Sequence, residues 1–232
     1  MTRLNILSGG AAHGLVESLK ADFTARTRLD IGGEFGAVGA MADKLRKGAP
    51  TDIIILTKKI VADLAAENLI DAASIADVGL VETALAVRAR DALVAATDAA
   101  ALRDVLLAAD AIFVPDTRAS TAGIHVAKIL RQLGIAEAVE FRLKIYPNGA
   151  TAMRHLAEST ALKPIGCTQS TEIISTVGVV LSGSLPPECE LATMYTAAVT
   201  TKAVHPKQAQ ILIDLLTAAD QHERAGFLAA RK

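Results

Sequence analysis

Tryptophan is absent from this chain, and aromatic residues make up only 3 % of its 232 positions. The core must therefore be built from Ala, Val, Ile and Leu, a composition that suits parallel sheets covered by Ala-rich helices. Few aromatics also mean few stacking platforms for single-stranded nucleic acid. The charge carries no basic footprint: the net value is −1, with no run of Lys or Arg to meet phosphates. Nucleic acid is excluded as a partner on both counts. Cysteine occurs twice, at Cys167 and Cys189, with no metal-ligand spacing, so ordinary thiols are expected, with a disulfide between them left open. No apolar run approaches the roughly 18 residues of a membrane span, which argues against membrane insertion. The start is also unlike a secretory signal, because Leu4–Leu7 is broken by Asn5 and stops at Gly9-Gly10. As it stands the sequence reads as cytoplasmic, or as periplasmic if a leader was removed.

What is present is alternation. Short β-rich runs are expected at Leu4–Leu7, Leu29–Ile31, Asp52–Leu56, Ala84–Val87, Ala111–Val114, Arg142–Tyr146, Ile165–Cys167, Val177–Leu181 and Tyr195–Val199. Amphipathic stretches lie between them. Leu15, Leu19 and Phe23 recur every fourth position, and Ile124 to Leu133 repeats the pattern before Gly134, a residue suited to end a helix. Such alternation is the signature of parallel βαβ units. Nine strands exceed the usual sheet, so two smaller sheets are the easier solution. The expected division is residues 1–80 plus 191–232 as one lobe and 81–190 as the other, with a ligand cleft where their strand ends face each other.

Four strand-end turns are candidates to hold that ligand. The first, Ser8-Gly9-Gly10-Ala11-Ala12-His13-Gly14, runs into the helix carrying Leu15. A helix N-terminus offers unpaired N–H groups and about half a positive charge, and small residues let an oxyanion reach it. An ordinary tight turn explains the same residues equally well. The second, Gly32 to Gly39, again falls between a strand and a helix, expected over Ala40 to Lys47. Its glycines imply positive φ or close backbone approach. Neither turn matches a Walker loop or G-x-G-x-x-G, and no cofactor is expected. The third runs from Val114 to Gly123. There Ser120 or Thr121 can cap the next helix, and Arg118 can grip a carboxylate bidentately, or simply be solvated or pair with Asp116. The fourth, Gly166 to Glu172, offers Thr168, Gln169 and Ser170 as donors or as the start of a helix.

These turns and their order resemble the type II periplasmic-binding-protein family, in particular its molybdate-binding branch. The most specific stretch is Gly36-Ala37-Val38-Gly39, eight residues, then Gly48-Ala49-Pro50-Thr51-Asp52-Ile53. Glu67-Asn68-Leu69-Ile70-Asp71, Val114-Pro115-Asp116 with Thr121-Ala122-Gly123, and a closing set support it. That set is Leu185-Pro186-Pro187, Tyr195-Thr196-Ala197-Ala198-Val199, His205-Pro206 and Ala225-Gly226-Phe227. The resemblance implies an α/β chain of two hinged lobes closing on an anion, with an ABC permease as partner if the chain is exported. The ligand-binding positions expected are Ser8, Gly9, Gly10 and Ala11; Gly36, Ala37 and Val38; Arg118, Ser120 and Thr121; Thr168 and Gln169.

Departures from the molybdate branch are as informative. That branch shows Ala-Ala-Ser-Leu in the first loop, serines at the positions of Ala37-Val38, and a tyrosine at the position of Gln169. Lost donors are costly around a buried oxyanion, at about 1–3 kcal/mol each. Their loss, with Arg118 on offer, points to an organic carboxylate rather than molybdate. The fold also resembles that of isomerases acting on small polycarboxylates such as aconitate. On that alternative His13 is the candidate base and Glu172 or Asp116 a second acid/base group, while an exposed His13 on the first helical turn is the plainer role. His125, His155, His205 and His222 are scattered and read as structural or exposed, and no metal cluster is expected.

Overall fold

The computed structural model describes residues 3–218 and 225–228; His222 lies outside them. The chain divides into two compact units, Met1–Val81 with Thr193–Lys232 and Glu82–Ala192.

The first unit opens with β1 (Arg3–Gly9), a 3-10 turn at Gly10–Ala12 and α1 (His13–Thr27). β2 (Asp30–Gly36), α2 (Val38–Arg46), β3 (Ile53–Thr57) and α3 (Lys58–Ala66) follow, and β4 (Ala76–Arg88) carries the chain into the second unit. That unit holds α4 (Ala99–Ala108), β5 (Ala111–Pro115), α5 (Thr121–Gln132), the single turn α6 (Ala136–Val139) and β6 (Leu143–Tyr146). It ends with α7 (Gly149–Glu158), β7 (Pro164–Gln169), α8 (Ser170–Ile174) and β8 (Val179–Ser184). The chain returns to the first unit through β9 (Ala192–Val199) and α9 (Pro206–Leu216).

Every expected strand overlaps an observed one, with ends that differ by one residue or more, and each helix pattern is a helix. The expected α/β class therefore holds. Strand order in the first unit is β2-β1-β3-β9-β4, with β1 parallel to both neighbours and β9 antiparallel to β3. Ile53, Ile54, Ile55 and Leu56 of β3 are all fully buried, as a central strand covered on both faces requires. Leu15, Leu19 and Phe23 turn one face of α1 onto the sheet, the face set by their fourfold spacing. Asp52, just ahead of β3, is buried and accepts the N–H groups of Asn5 (2.8 Å), Val204 (2.7 Å) and His205 (2.8 Å). This carboxylate ties the strand entry to the start of α9.

In the second unit β4, β7, β5 and β6 lie side by side, with β8 on β4. β5 is parallel to β6 and β7, while β4 is antiparallel to β7. Side chains alternate between two apolar layers. Ile112, Val114, Leu85 and Ile165 pack with α4 and α5, and Ala111, Phe113, Ala84 and Ala86 pack with α7 and α8. Both cysteines are buried in the first of these layers as free thiols. Burial pushes the Cys167 thiol up to about 12, so it stays protonated near neutrality. Native protein at pH 8 is therefore expected to leave Cys167 unmodified by Ellman's reagent, and both thiols should react once denaturant is added. Fast native labelling of Cys167, read by mass spectrometry, would contradict the packing.

One expectation fails locally. The stretch from Gly32 to Gly36 is not a loop: it is β2, paired residue for residue with β1 from Arg3↔Asp30 to Gly9↔Gly36. Gly33 shows why glycine is needed there, since a Cβ would fall 2.0 Å from the Ile6 carbonyl oxygen. The turn itself shrinks to Ala37, and α2 starts two residues earlier than expected, at Val38.

Candidate functional site

In the first unit, β1 and β2 end side by side, and their turns enter α1 and α2. Ser8 and Gly9 are the last residues of β1, Gly10 and Ala11 lie in the 3-10 turn, and Gly36 closes β2. Gly9 is wedged in place: a Cβ there would sit 2.8 Å from the Val38 side chain and 2.8 Å from the Tyr195 ring. The structure thus brings Gly9, Val38 and Tyr195 together, a contact that spacing alone could not reveal. Ser8 is fully buried, and its hydroxyl donates to the Gly9 carbonyl at 2.9 Å. Its hydroxyl proton, expected to face a ligand, is used within the turn.

Backbone donors remain. Ala12 and Ala37, the N-cap residues of α1 and α2, make no side-chain cap bond, and neither first turn carries an acidic residue. Such helix starts leave N–H groups for water or an anion. His13 opens α1 with its ring edge-on to Phe35 of β2, centroids 4.6 Å apart. Its Nε2 lies 3.5 Å from Glu17, which also takes Lys20 at 2.5 Å, and the side chain is about half exposed. The base candidate therefore stands at the junction of the first two turns, oriented by a ring and a carboxylate.

In the second unit, β5 and β7 are parallel neighbours, so the third and fourth turns leave the same end of the sheet. Asp116 organises the third turn by accepting the N–H groups of Arg118 (2.7 Å) and Ala119 (3.0 Å) on one oxygen. That oxygen holds the turn ahead of α5 and does not cap the helix; Ser120 sits at the N-cap position of α5 without a side-chain bond, and Thr121 begins the helix. Arg118 is exposed, and its guanidinium has no hydrogen bond or ion pair among the described residues. It does not pair with the Asp116 side chain, and its exposure fits a solvated arginine, the plainer expectation. Gly123 allows the turn to lie on the helix, since a Cβ there would be 2.1 Å from the Asp116 carbonyl oxygen.

The fourth turn is almost wholly buried. Thr168 and Gln169 end β7, and Gln169 is the N-cap position of α8. Glu172 accepts the Thr168 hydroxyl at 2.6 Å and the backbone N–H groups of Gln169, Gly149 and Ala150. Its carboxylate occupies the N-terminus of α7, whose next free N–H, that of Thr151, is capped by Asn148 at 2.8 Å. Burial holds the Glu172 carboxyl above its ordinary value, against the pull of these four donors. With its oxygens committed, Glu172 acts here by positioning α7 and β7. Gly149 makes this possible, because a Cβ would come within 1.9 Å of the carboxylate. The Asn148-Gly149 pair is the sequence signal that could have flagged that approach. Thr171 adds a donor that the residue pattern did not single out: its hydroxyl is buried without a partner. An orphan buried hydroxyl is uncommon and marks a place where a water or ligand belongs.

Among the described residues no group of three or more His, Cys, Asp or Glu could hold a metal, and no helix is long and apolar enough to cross a membrane.

Parallel strands whose turns open uncapped helices, repeated in two units, define a periplasmic-binding-protein-like chain of the type II fold. The chain belongs to the bacterial extracellular solute-binding protein family, whose model matches residues 4–227. It is 24 % identical to an aconitate isomerase of a Pseudomonas species over 231 residues, 95 % of this chain and 84 % of that one. Its fold is similar to that of the periplasmic molybdate-binding protein of Azotobacter vinelandii, with a TM-score of 0.81 at 17 % identity, covering 99 % and 100 % of the two chains. It is also similar to a sulfate-binding protein of Mycobacterium tuberculosis, with a TM-score of 0.73 at 17 % identity over 99 % and 88 %.

Proposed function

We propose that this chain binds a small organic anion, a di- or tricarboxylate, through the N–H groups and side chains of its strand-end turns. The observation that carries this reading is the Arg118 guanidinium, exposed at the third turn with no hydrogen bond or ion pair among the described residues. At the candidate turns α1, α2 and α5 begin without a side-chain cap, as α3 and α9 also do. The uncapped N–H groups supply donors suited to an oxyanion, and the unpaired Arg118 supplies a charge suited to a carboxylate. Ala37 and Val38 bring no hydroxyl to the second turn, which favours an organic acid over a tetrahedral oxyanion. Family membership supports solute binding, and an ABC permease is the partner this reading expects for an exported chain.

Thermal melts against citrate, aconitate, succinate, sulfate and molybdate test it. A carboxylate at 100 times its Kd stabilises by about 2.7 kcal/mol, which is about 5–11 °C for a chain of this size. Arg118→Ala is expected to weaken the responsive carboxylate about 10-fold or more, the worth of one charged hydrogen bond. A response to molybdate or sulfate alone would overturn the carboxylate assignment.

A second reading is isomerisation of such an acid, favoured by the similarity to an aconitate isomerase along almost the whole chain. The proton shift would use His13, with Arg118 holding a carboxylate as charge develops. Following the ultraviolet absorbance of trans-aconitate decides between them. Turnover that disappears in His13→Ala supports the enzyme; tight binding without turnover leaves a binding protein.

A further inference from the structure

The strands β5 and β7 have two ends, and only their C-terminal ends carry the turns described above. At their N-terminal ends lies a cavity of about 460 Å³ formed within the second unit. β7 starts at Pro164, four residues before Thr168, so at about 3.3 Å per residue the cavity edge at Pro164 is about 13 Å from the Thr168–Glu172 turn. Its walls are apolar: Val87 of β4, Val105 of α4, and Pro164 and Ile165 of β7 line it. The irregular segment after β4 closes one side and is pinned by Ser182. That hydroxyl donates to the Val94 carbonyl and accepts the Val94 N–H, both at 2.7 Å.

Charge at its edge is unbalanced. Asp91 is taken by Arg88, which reaches both carboxylate oxygens at 2.5 and 3.1 Å. Arg90 gives one bond to the Ser159 carbonyl at 3.0 Å and meets no carboxylate among the described residues. The Lys163 ammonium has no partner among them either, although its backbone N–H donates to Asp110. Two cations thus stand over an apolar chamber with no acid to answer them. Leu162, beside Lys163, lines the cavity yet is 89 % exposed.

We propose that this cavity is a second ligand site, for an amphipathic monocarboxylate whose hydrocarbon or aryl body fills the chamber and whose carboxylate pairs with Lys163 and Arg90. The volume lies within the range of small-molecule pockets and corresponds to roughly fifteen waters, the bulk of a medium-chain acid. Apolar walls with a few charged groups at one side match that ligand and reject the small polyanions expected at the strand-end turns, which have no apolar body to bury.

The test is a fluorescence titration of the full chain with 8-anilinonaphthalene-1-sulfonate, a probe with an aromatic body and one anionic group, followed by competition with octanoate. Saturable binding of one probe per chain, displaced by octanoate and not by citrate or aconitate, is the expected result. Lys163→Glu should weaken octanoate at least 10-fold, and Val105→Trp, which fills the chamber, should abolish both signals. Unchanged circular dichroism and an unchanged melting response to the strand-end ligand would show that each variant is folded. Probe binding that persists undiminished in Val105→Trp, that octanoate fails to displace, or that citrate or aconitate displaces overturns the proposal.

Discussion

Replacing Glu172 with leucine is expected to cost about 3–5 kcal/mol and to lower the melting temperature by about 10 °C or more. The reason is the number of groups left behind. The Thr168 hydroxyl and the N–H groups of Gln169, Gly149 and Ala150 all lose their acceptor in a region closed to water. Two of those N–H groups belong to the first turn of α7, where a negative charge also favours the helix dipole. Glutamine keeps the shape and one of the two acceptor oxygens, so Glu172→Gln should recover part of that loss. Its pH response provides a separate check. Burial raises the folded Glu172 carboxyl above its ordinary value of 4.5, so the unfolded chain gives up this proton at lower pH than the folded one. The contribution of this titration is therefore full below that ordinary value and is lost as pH rises through the folded value. Thermal melts should show Glu172→Gln gaining on the parent as pH increases across that range. A gap that widens in favour of the parent instead would mean that the four donors outweigh burial.

Gly123→Ala is the second large effect expected, about 2–3 kcal/mol and about 5–10 °C in melting temperature. The added methyl meets backbone on two sides, the carbonyl oxygens of Asp116 at 2.1 Å and Pro115 at 2.5 Å, and backbone cannot swing aside as a side chain can. Either α5 or the turn before it must move. Movement of the turn shifts Arg118, so carboxylate affinity should fall with stability, about 10-fold or more on the scale of one charged bond. Gly39→Ala is the matched control. Gly39 lies inside α2 with nothing within 4 Å of an added Cβ, and alanine there should stabilise by about 0.5–1 kcal/mol. Equal effects at the two positions would mean that helix propensity, not the packed turn, governs both.

The apolar runs located the strands because buried parallel strands have little choice of residue. Ile53 to Leu56 could hardly be anything else. Glycine-rich β2 is legible only in part because glycine carries no strand preference of its own; only the neighbouring backbone of β1 makes residues 32–36 extended. β4 shows an apolar run only at Ala84–Val87, yet the strand extends over thirteen residues, Ala76–Arg88. At the candidate site the sequence identifies which turns end strands, but not where each hydroxyl or carboxylate points. Ser8 donates to the carbonyl of the next residue, Gly9, and Glu172 reaches Gly149, a residue of another helix. Asp116, a candidate acid or base, instead holds the backbone of its own turn, and Ser120 leaves the next helix without a side-chain cap. Contacts of this kind depend on elements distant in sequence, which no local pattern encodes.

The division of the chain has a consequence for how it is made. Glu82–Ala192 is one continuous stretch, whereas the other unit needs residues from both termini. On the ribosome the inserted unit is complete before β9 emerges, although β1 to β3 were synthesised first. β9 takes its place beside β3, so the edge of Ile53–Thr57 waits for Tyr195–Val199. At 5–20 residues per second that wait is about 10–30 s. During it an apolar strand edge lies open on the nascent chain, the kind of surface that a trigger-type chaperone shields and that premature termination would leave exposed to aggregation.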